Sequence, residues 1–249
     1  DKIAPTWFVF ENVYGLTKFK NGEENIQNHI ENRFRDIGYT VKSKILYASD
    51  FGVPQRRNRL FIVGNRNGID FEFPKEFDYS VSVDEAISDL PVLGNGEIQM
   101  KGEYTVPFEQ ASPYAQLMRK KSKAPTQNIV SRNKDYVVER YKYIGQGENW
   151  SSIPDRLMEN YADKKRCHSG IYKRLIGGKP SVVISNYRKS MLIHPHQDRG
   201  LSVREAARLQ SFPDHFIFEG PVSYVQQQIG NAVPPLLAKA VMKKILTYK

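Results

Sequence analysis

Two rhythms of apolar positions run along this chain, and together they predict an α/β protein. Trp7 to Phe10 is a short unbroken apolar run with Glu11 and Asn12 at its carboxyl end. Such a run reads as a buried parallel strand, and open α/β sheets place their chemistry at that end. From Glu23 to Ile37 the rhythm changes: Ile26, Ile30, Phe34 and Ile37 recur at helical spacing, and Gly38 closes the element. Thr40 to Ala48 alternates as a strand, and Gln55 to Gly64 leads into another apolar strand. Strand, helix, strand, strand at these lengths predicts an α/β sheet. Val83 to Leu90 predicts a short helix begun by Ser82 and stopped by Pro91, and Ala115 to Lys123 a second. From about Leu93 to Asp198 the periodicity degrades, and Ser181 to Ser185 is the best strand candidate there. Order resumes at Leu201–Phe216, where Ser202 and Glu205 have capping-box spacing and Phe212-Pro213 ends the helix. Pro234 to Tyr248 predicts a helix returning to the first part. These breaks divide the 249 residues into segments 1–92, 93–198 and 199–249.

Charge sharpens that division. Residues 101–200 hold 19 Lys and Arg against 9 Asp and Glu, whereas residues 1–100 hold 12 against 15. The central hundred therefore carries an excess equal to the whole net charge of +10. A localised basic segment rich in Tyr is the expected footprint of a polyanion, although a solvated basic surface has the same composition. A transmembrane helix is not expected, since no run of eighteen apolar residues occurs. The amino terminus has no basic-then-apolar leader and runs straight into a strand, which reads as a chain beginning in mid-fold. A single cysteine, Cys167, excludes an internal disulfide and a cysteine-rich zinc site, and a cytosolic protein is the default.

Three places carry candidate chemistry. Glu11, at a strand end, is either a cap acceptor or a carboxyl group whose proton affinity burial has raised. Arg56, Arg57 and Arg59 enter the next strand together, and alternation puts Arg57 and Arg59 on one side with Gln55. Paired guanidinium groups suit a base edge or a phosphate, or they lace a strand edge with salt bridges. Gly230-Asn231-Ala232-Val233-Pro234 sets a glycine and polar atoms at a helix start, a general small-ligand geometry. His168, His194 and His196 lie near one another in sequence but lack the cysteine or carboxylate spacing of a metal site.

Read as words, these stretches resemble the DNA cytosine-5 methyltransferases. RExARLQxFPDxF, from Arg204 to Phe216, resembles the family's ninth motif, and GNAVPP resembles the tenth. FENV resembles the sixth and FGVPQRRNRLFIVG the eighth, QxRxR. The resemblance implies a partial doubly wound, Rossmann-like methyltransferase sheet with a small, irregular, mostly β target-recognition domain over 93–198. It implies transfer of methyl from S-adenosylmethionine to C5 of a cytosine flipped from a specific site in double-stranded DNA, as in restriction-modification. Glu11 would bind the cytosine N3 and exocyclic amine, Arg59 its O2, and Arg57 would support the catalytic loop. Asn231, Ala232 and Val233 would line the cofactor site; Ala232 stands where many members have Ser. SVVISNY resembles the end of the recognition segment, with Val183-Ile184 where many members carry Thr-Leu or Thr-Val. Tyr187, Arg188, Lys189 and Ser190 would supply groove contacts.

The family's Pro-Cys nucleophile and its Gly-rich first motif have no counterpart, since Arg166, not Pro, precedes Cys167. The expectation is a carboxyl-terminal part, motifs six to ten, working with an amino-terminal half on the same polypeptide or as a separate subunit, and inactive alone. A bacterial cytoplasmic or nucleoid-associated location follows from that resemblance. Two other readings stand beside it: an RNA (transfer RNA) cytosine-5 methyltransferase, and a non-catalytic DNA-binding subunit of a split enzyme.

Overall fold

A computed structural model of the protein describes residues 3–21, 24–159 and 169–248. They fall into two compact units. The first comprises Asp1–Gly52, Arg57–Tyr79 and Leu236–Lys249, and the second Val53–Arg56 and Ser80–Pro235.

The first unit is built on a three-stranded sheet of β1 (Trp7–Val13), β2 (Thr40–Tyr47) and β3 (Asn58–Asn65), in the order β1-β3-β2. Both pairings are antiparallel, with Phe10 opposite Ile62 and Lys44 opposite Phe61. The parallel, fully buried strand expected at Trp7–Phe10 is therefore corrected. β1 is antiparallel and an edge of this sheet, and Val13 is exposed. An apolar run reports burial on at least one face but carries no information about strand direction. The central strand β3 is the buried one, since Leu60, Phe61, Ile62 and Val63 are all enclosed. Helix α1 (Ile26–Asp36) is capped by Asn25, whose side chain accepts from the Gln27 amide at 2.8 Å. Phe34 on α1 stacks on Phe8 with ring centroids 4.0 Å apart, and Tyr39 meets Phe8 edge-on at 5.0 Å. Opposite Phe8 in the ladder stands Gly64, where an added Cβ would lie 2.1 Å from the Phe8 ring. Helix α7 (Pro235–Leu246) contributes all but its first residue to this unit.

The second unit centres on a seven-residue helix. In chain order it contains α2 (Val83–Ile87), β4 (Ile98–Lys101), α3 (Pro113–Arg119), β5 (Thr126–Ile129), α4 (Asp135–Tyr141), α5 (Val203–Leu209) and α6 (Val222–Asn231). Every residue of α5 is buried. Both halves of the expected capping box form: Ser202 Oγ accepts from the Glu205 amide at 3.2 Å, and Glu205 accepts from the Ser202 amide at 2.7 Å. Ser82 and Glu85 make the same box at the start of α2. α5 packs against α2, β5 and α6. This packing redraws the expected segments: residues 199–235 belong with the central stretch rather than with the first unit, because α5 is the core of the second.

Three further expectations change. Ser181–Ser185 is not a strand; only Ser181 pairs, in an isolated parallel bridge with Gln55, while Val182 and Val183 are exposed. The central stretch is not mostly β, for β4 and β5 form a two-stranded antiparallel ribbon among short helices. Gly230 and Asn231 close α6 rather than open a helix. No described helix is long and apolar enough to cross a membrane.

Candidate active site and nucleic-acid interface

Glu11 and Arg59 meet on one face of the first unit's sheet. Glu11 lies opposite Phe61 in the β1–β3 ladder, and Arg59 is two residues from Phe61, so the two side chains are diagonal neighbours. Arg59 Nε forms an ion pair with Glu11 Oε1 at 2.8 Å, and its Nη1 donates to the Asn58 carbonyl at 2.9 Å. The guanidinium is nearly buried, while a quarter of the Glu11 side chain remains exposed. Burial outweighs the neighbouring cation and raises the Glu11 pKa above the ordinary carboxyl value. Burial likewise lowers the Arg59 pKa, against the pull of Glu11. The result is a carboxyl group held in a fixed pose, reachable from outside, whose affinity for a proton is enhanced. It can accept a hydrogen bond as carboxylate or give one as acid.

Arg57 is buried too, and its carbonyl accepts from the Ala48 amide at 2.7 Å. Arg56, which precedes Arg57, is exposed. Alternation thus separates Arg57 and Arg59 from Arg56, as the spacing predicted.

The remaining candidates lie in the second unit. Asn231 is exposed, and Ala232 and Val233 are half-buried in the link between α6 and α7. Gln210 fastens that link, donating to the carbonyls of Ile229 at 2.6 Å and Ala232 at 3.4 Å. Gln210 in turn accepts from Gln55 Nε2 at 2.8 Å, and Gln55 also donates to the Leu209 carbonyl and accepts from the Ile184 amide at 2.9 Å. Gly230 presses on the same region: an added Cβ would stand 1.7 Å from the Ser185 carbonyl oxygen, so only glycine fits.

Of the four expected groove contacts, Arg188 and Lys189 are exposed and Ser190 is partly so. Tyr187 is corrected, since its ring is buried and burial raises its phenol pKa. Its aromatic body packs inside the unit, leaving the two cations outside. His196 bonds Asp84 at 2.8 Å, and His194 is buried with its pKa lowered to about 4, chiefly by that burial. Among the described residues no three His, Cys, Asp or Glu side chains converge as a metal site would require. Cys167 and His168 lie outside the described residues.

A buried charge cluster around α5 was not foreseen. Arg208 donates to Asp214 at 2.5 and 2.7 Å, to Asp89 at 3.0 and 3.3 Å, and to the Ala86 carbonyl at 2.9 Å. Tyr104 donates to Asp214 at 2.6 Å and Arg119 reaches Asp89 at 3.4 Å. Beyond it, Arg199 forms a fork with Glu205 at 2.6 and 2.9 Å. That pairing, after the cost of burial, leaves the Glu205 pKa at about 2. The only hint in sequence was the number of charges on so short and apolar a helix.

Comparison with known proteins identifies the family of the chain. A family model described as C-5 cytosine-specific DNA methylase matches residues 1–247. The type II methyltransferase M1.HphI of Haemophilus parahaemolyticus is 34% identical over 244 residues, which cover 97% of this chain and 57% of that protein. M.DdeI of Desulfomicrobium norvegicum is 33% identical over 268 residues, covering 99% of this chain and 64% of its own. The chain thus spans about three-fifths of the length of these curated relatives. A protein solved as a DNA modification methyltransferase encoded within an E. coli prophage superposes with a TM-score of 0.68 at 24% identity, over 98% of this chain and 69% of its own. The fold is that of the α/β methyltransferases, and the chain belongs to the C-5 cytosine-specific DNA methylase family.

Proposed function

We propose that this chain forms the cytosine-receiving and recognition part of a DNA (cytosine-5) methyltransferase of a bacterial restriction-modification system, acting on duplex DNA in the cytoplasm. The observation that carries the proposal is the Glu11–Arg59 pair at 2.8 Å, half-enclosed on the sheet. A base out of the stack would present N3 to the Glu11 carboxyl and O2 to the Arg59 guanidinium. Glu11, with its raised pKa, would hold a proton at N3 and draw electron density from C6 as a thiolate adds there. Arg59 would orient the ring, and Arg57 would support the catalytic loop. In this reading the sheet is one end of a doubly wound fold, and residues 93–198 serve as the target-recognition segment.

The residues of the α6–α7 link fit a place beside S-adenosylmethionine: the Asn231 carboxamide is open, and Gln210 holds the adjoining backbone in place. Bound there, the cofactor supplies the electrophilic methyl group. The nucleophile is assigned to sequence outside these 249 residues, on the same polypeptide or a separate subunit, because Arg166 rather than Pro precedes the lone Cys167.

The test mixes this polypeptide with an amino-terminal methyltransferase half and follows labelled methyl transfer to duplex DNA and to transfer RNA. Transfer to duplex DNA is expected, with Glu11→Gln slowing it by roughly 10²–10⁴-fold at unchanged DNA affinity. Methylation by this polypeptide alone, preference for RNA, or a Glu11→Gln variant of normal rate would each overturn the proposal.

A further inference from the structure

We infer a second DNA contact in the second unit: a cationic cleft between the β4–β5 ribbon and the end of α3 that takes a phosphodiester stretch of the duplex. The inference rests on the DNA-directed reading above and deepens it: the cleft lies within the segment read there as target-recognising, and it uses neither the Glu11–Arg59 pair nor residues 187–190.

The cleft has a volume of about 1040 Å³, and its walls include Lys101, Tyr104, Arg119 and Lys123. Glu103 is the one carboxylate on its lining. Lys101 ends β4, and Lys123 lies in the loop before β5, so the two exposed ammonium groups come from separate segments. Neither lysine is ion-paired among the described residues, in contrast to Lys42 and Lys44, each held by a carboxylate. Arg119 is buried at the cleft wall with its guanidinium 3.8 Å from the Tyr104 ring centroid, and its Nε has no hydrogen-bond partner among the described residues.

The shape of the charge selects the ligand. Lys120 and Lys121, between Arg119 and Lys123 in sequence, are also exposed, so the turn after α3 adds to the cationic character beside the cleft. A single small anion would use one or two of these cations. A linear polyanion with regularly spaced charges can meet Lys101 and Lys123 from the two sides together, and its partners need no base edge. The contact therefore adds affinity and register without adding sequence preference, which leaves discrimination to other loops.

Lysine footprinting tests this directly. The protein is treated with an amine-acetylating reagent with and without a duplex oligonucleotide, and modification is read at each lysine by mass spectrometry. Lys101 and Lys123 are expected to be protected several-fold by duplex, while Lys42 and Lys44 are unchanged. In parallel, the double variant Lys101→Ala/Lys123→Ala should make the slope of log affinity against log salt less steep by about 2. Raising salt fourfold would then cost about tenfold less affinity than it costs the parent. Both lysines are exposed, so the melting temperature should not move; should the variant fold poorly, the footprint on the parent decides. Duplex binding that leaves both lysines open to acetylation overturns the cleft and leaves the methyltransferase reading standing. Failure to bind duplex at any salt overturns both.

Discussion

Replacing Arg208 with alanine is expected to destabilise the second unit by about 4 kcal/mol at neutral pH. The side chain is fully buried and donates five hydrogen bonds, four of them to the carboxylates of Asp89 and Asp214. Deleting it leaves two buried carboxylates with one guanidinium, Arg119, at 3.4 Å from Asp89, and one phenol, Tyr104, on Asp214. Breaking a buried ion pair by removing one partner costs about 3–5 kcal/mol. At about 2–4 °C per kcal/mol for a chain of this size, the melting temperature should fall by roughly 8–16 °C. The sign of the pH dependence follows from Asp214. In the parent its pKa is lowered, burial being outweighed by Arg208, so its contribution is present above the unfolded carboxyl pKa and lost as pH falls. In Arg208→Ala the balance reverses: burial without the guanidinium raises the folded pKa, and stability is lost as pH rises through it. The gap between parent and variant should therefore be widest near pH 7 and narrow toward pH 5. Urea unfolding of both proteins at several pH values measures it. A loss below 1 kcal/mol at pH 7, joined to a shallower salt dependence of DNA binding, would refute the structural role and make Arg208 a phosphate contact.

Two further outcomes are expected. Gln55→Leu removes the acceptor of the Ile184 amide and a donor to Gln210 and Leu209, so it should cost about 2–4 kcal/mol and speed hydrogen exchange at Ile184; unchanged protection there would contradict the assigned bond. His194, with its pKa lowered to about 4, contributes stability above pH 6.5 that is lost as pH falls toward 4, about 3 kcal/mol when complete. His194→Gln should flatten urea midpoints across that range, and a variant as acid-sensitive as the parent would remove His194 as the cause.

What could be read from sequence was local chemistry with a fixed period. The capping box at Ser202 forms because three-residue spacing is all it needs, and Ser82 starts α2 as its position before the apolar run implied. The separation of Arg57 and Arg59 from Arg56 follows from alternation alone. What could not be read depended on neighbours distant in sequence. SVVIS has the composition of a strand, yet a strand requires a partner along its length, and only Ser181 finds one. Tyr187 looked like a surface aromatic because it precedes Arg188 and Lys189, but its ring turns inward while the cations stay out. α6 went unseen because Gln226, Gln227 and Gln228 interrupt its apolar face, though Val225 and Ile229 still supply the buried contacts. The Arg208 cluster joins residues 119 and 6 positions away from it, a separation no pattern along the chain encodes.

The glutamine relay from Gln55 to Gln210 has a consequence for how such a protein can be varied. Apart from the link between the two glutamines, the bonds run to main-chain atoms: the Ile184 amide and the carbonyls of Leu209, Ile229 and Ala232. The relay is therefore blind to the side chains it anchors. Exposed positions such as Val182 and Val183 can be exchanged freely so long as the backbone keeps its path. A further compositional demand falls at Gly230, where Ser185 leaves no room for a Cβ. A segment fastened in this way behaves as a replaceable cassette, so new side chains can be tried on it without rebuilding the frame that holds it.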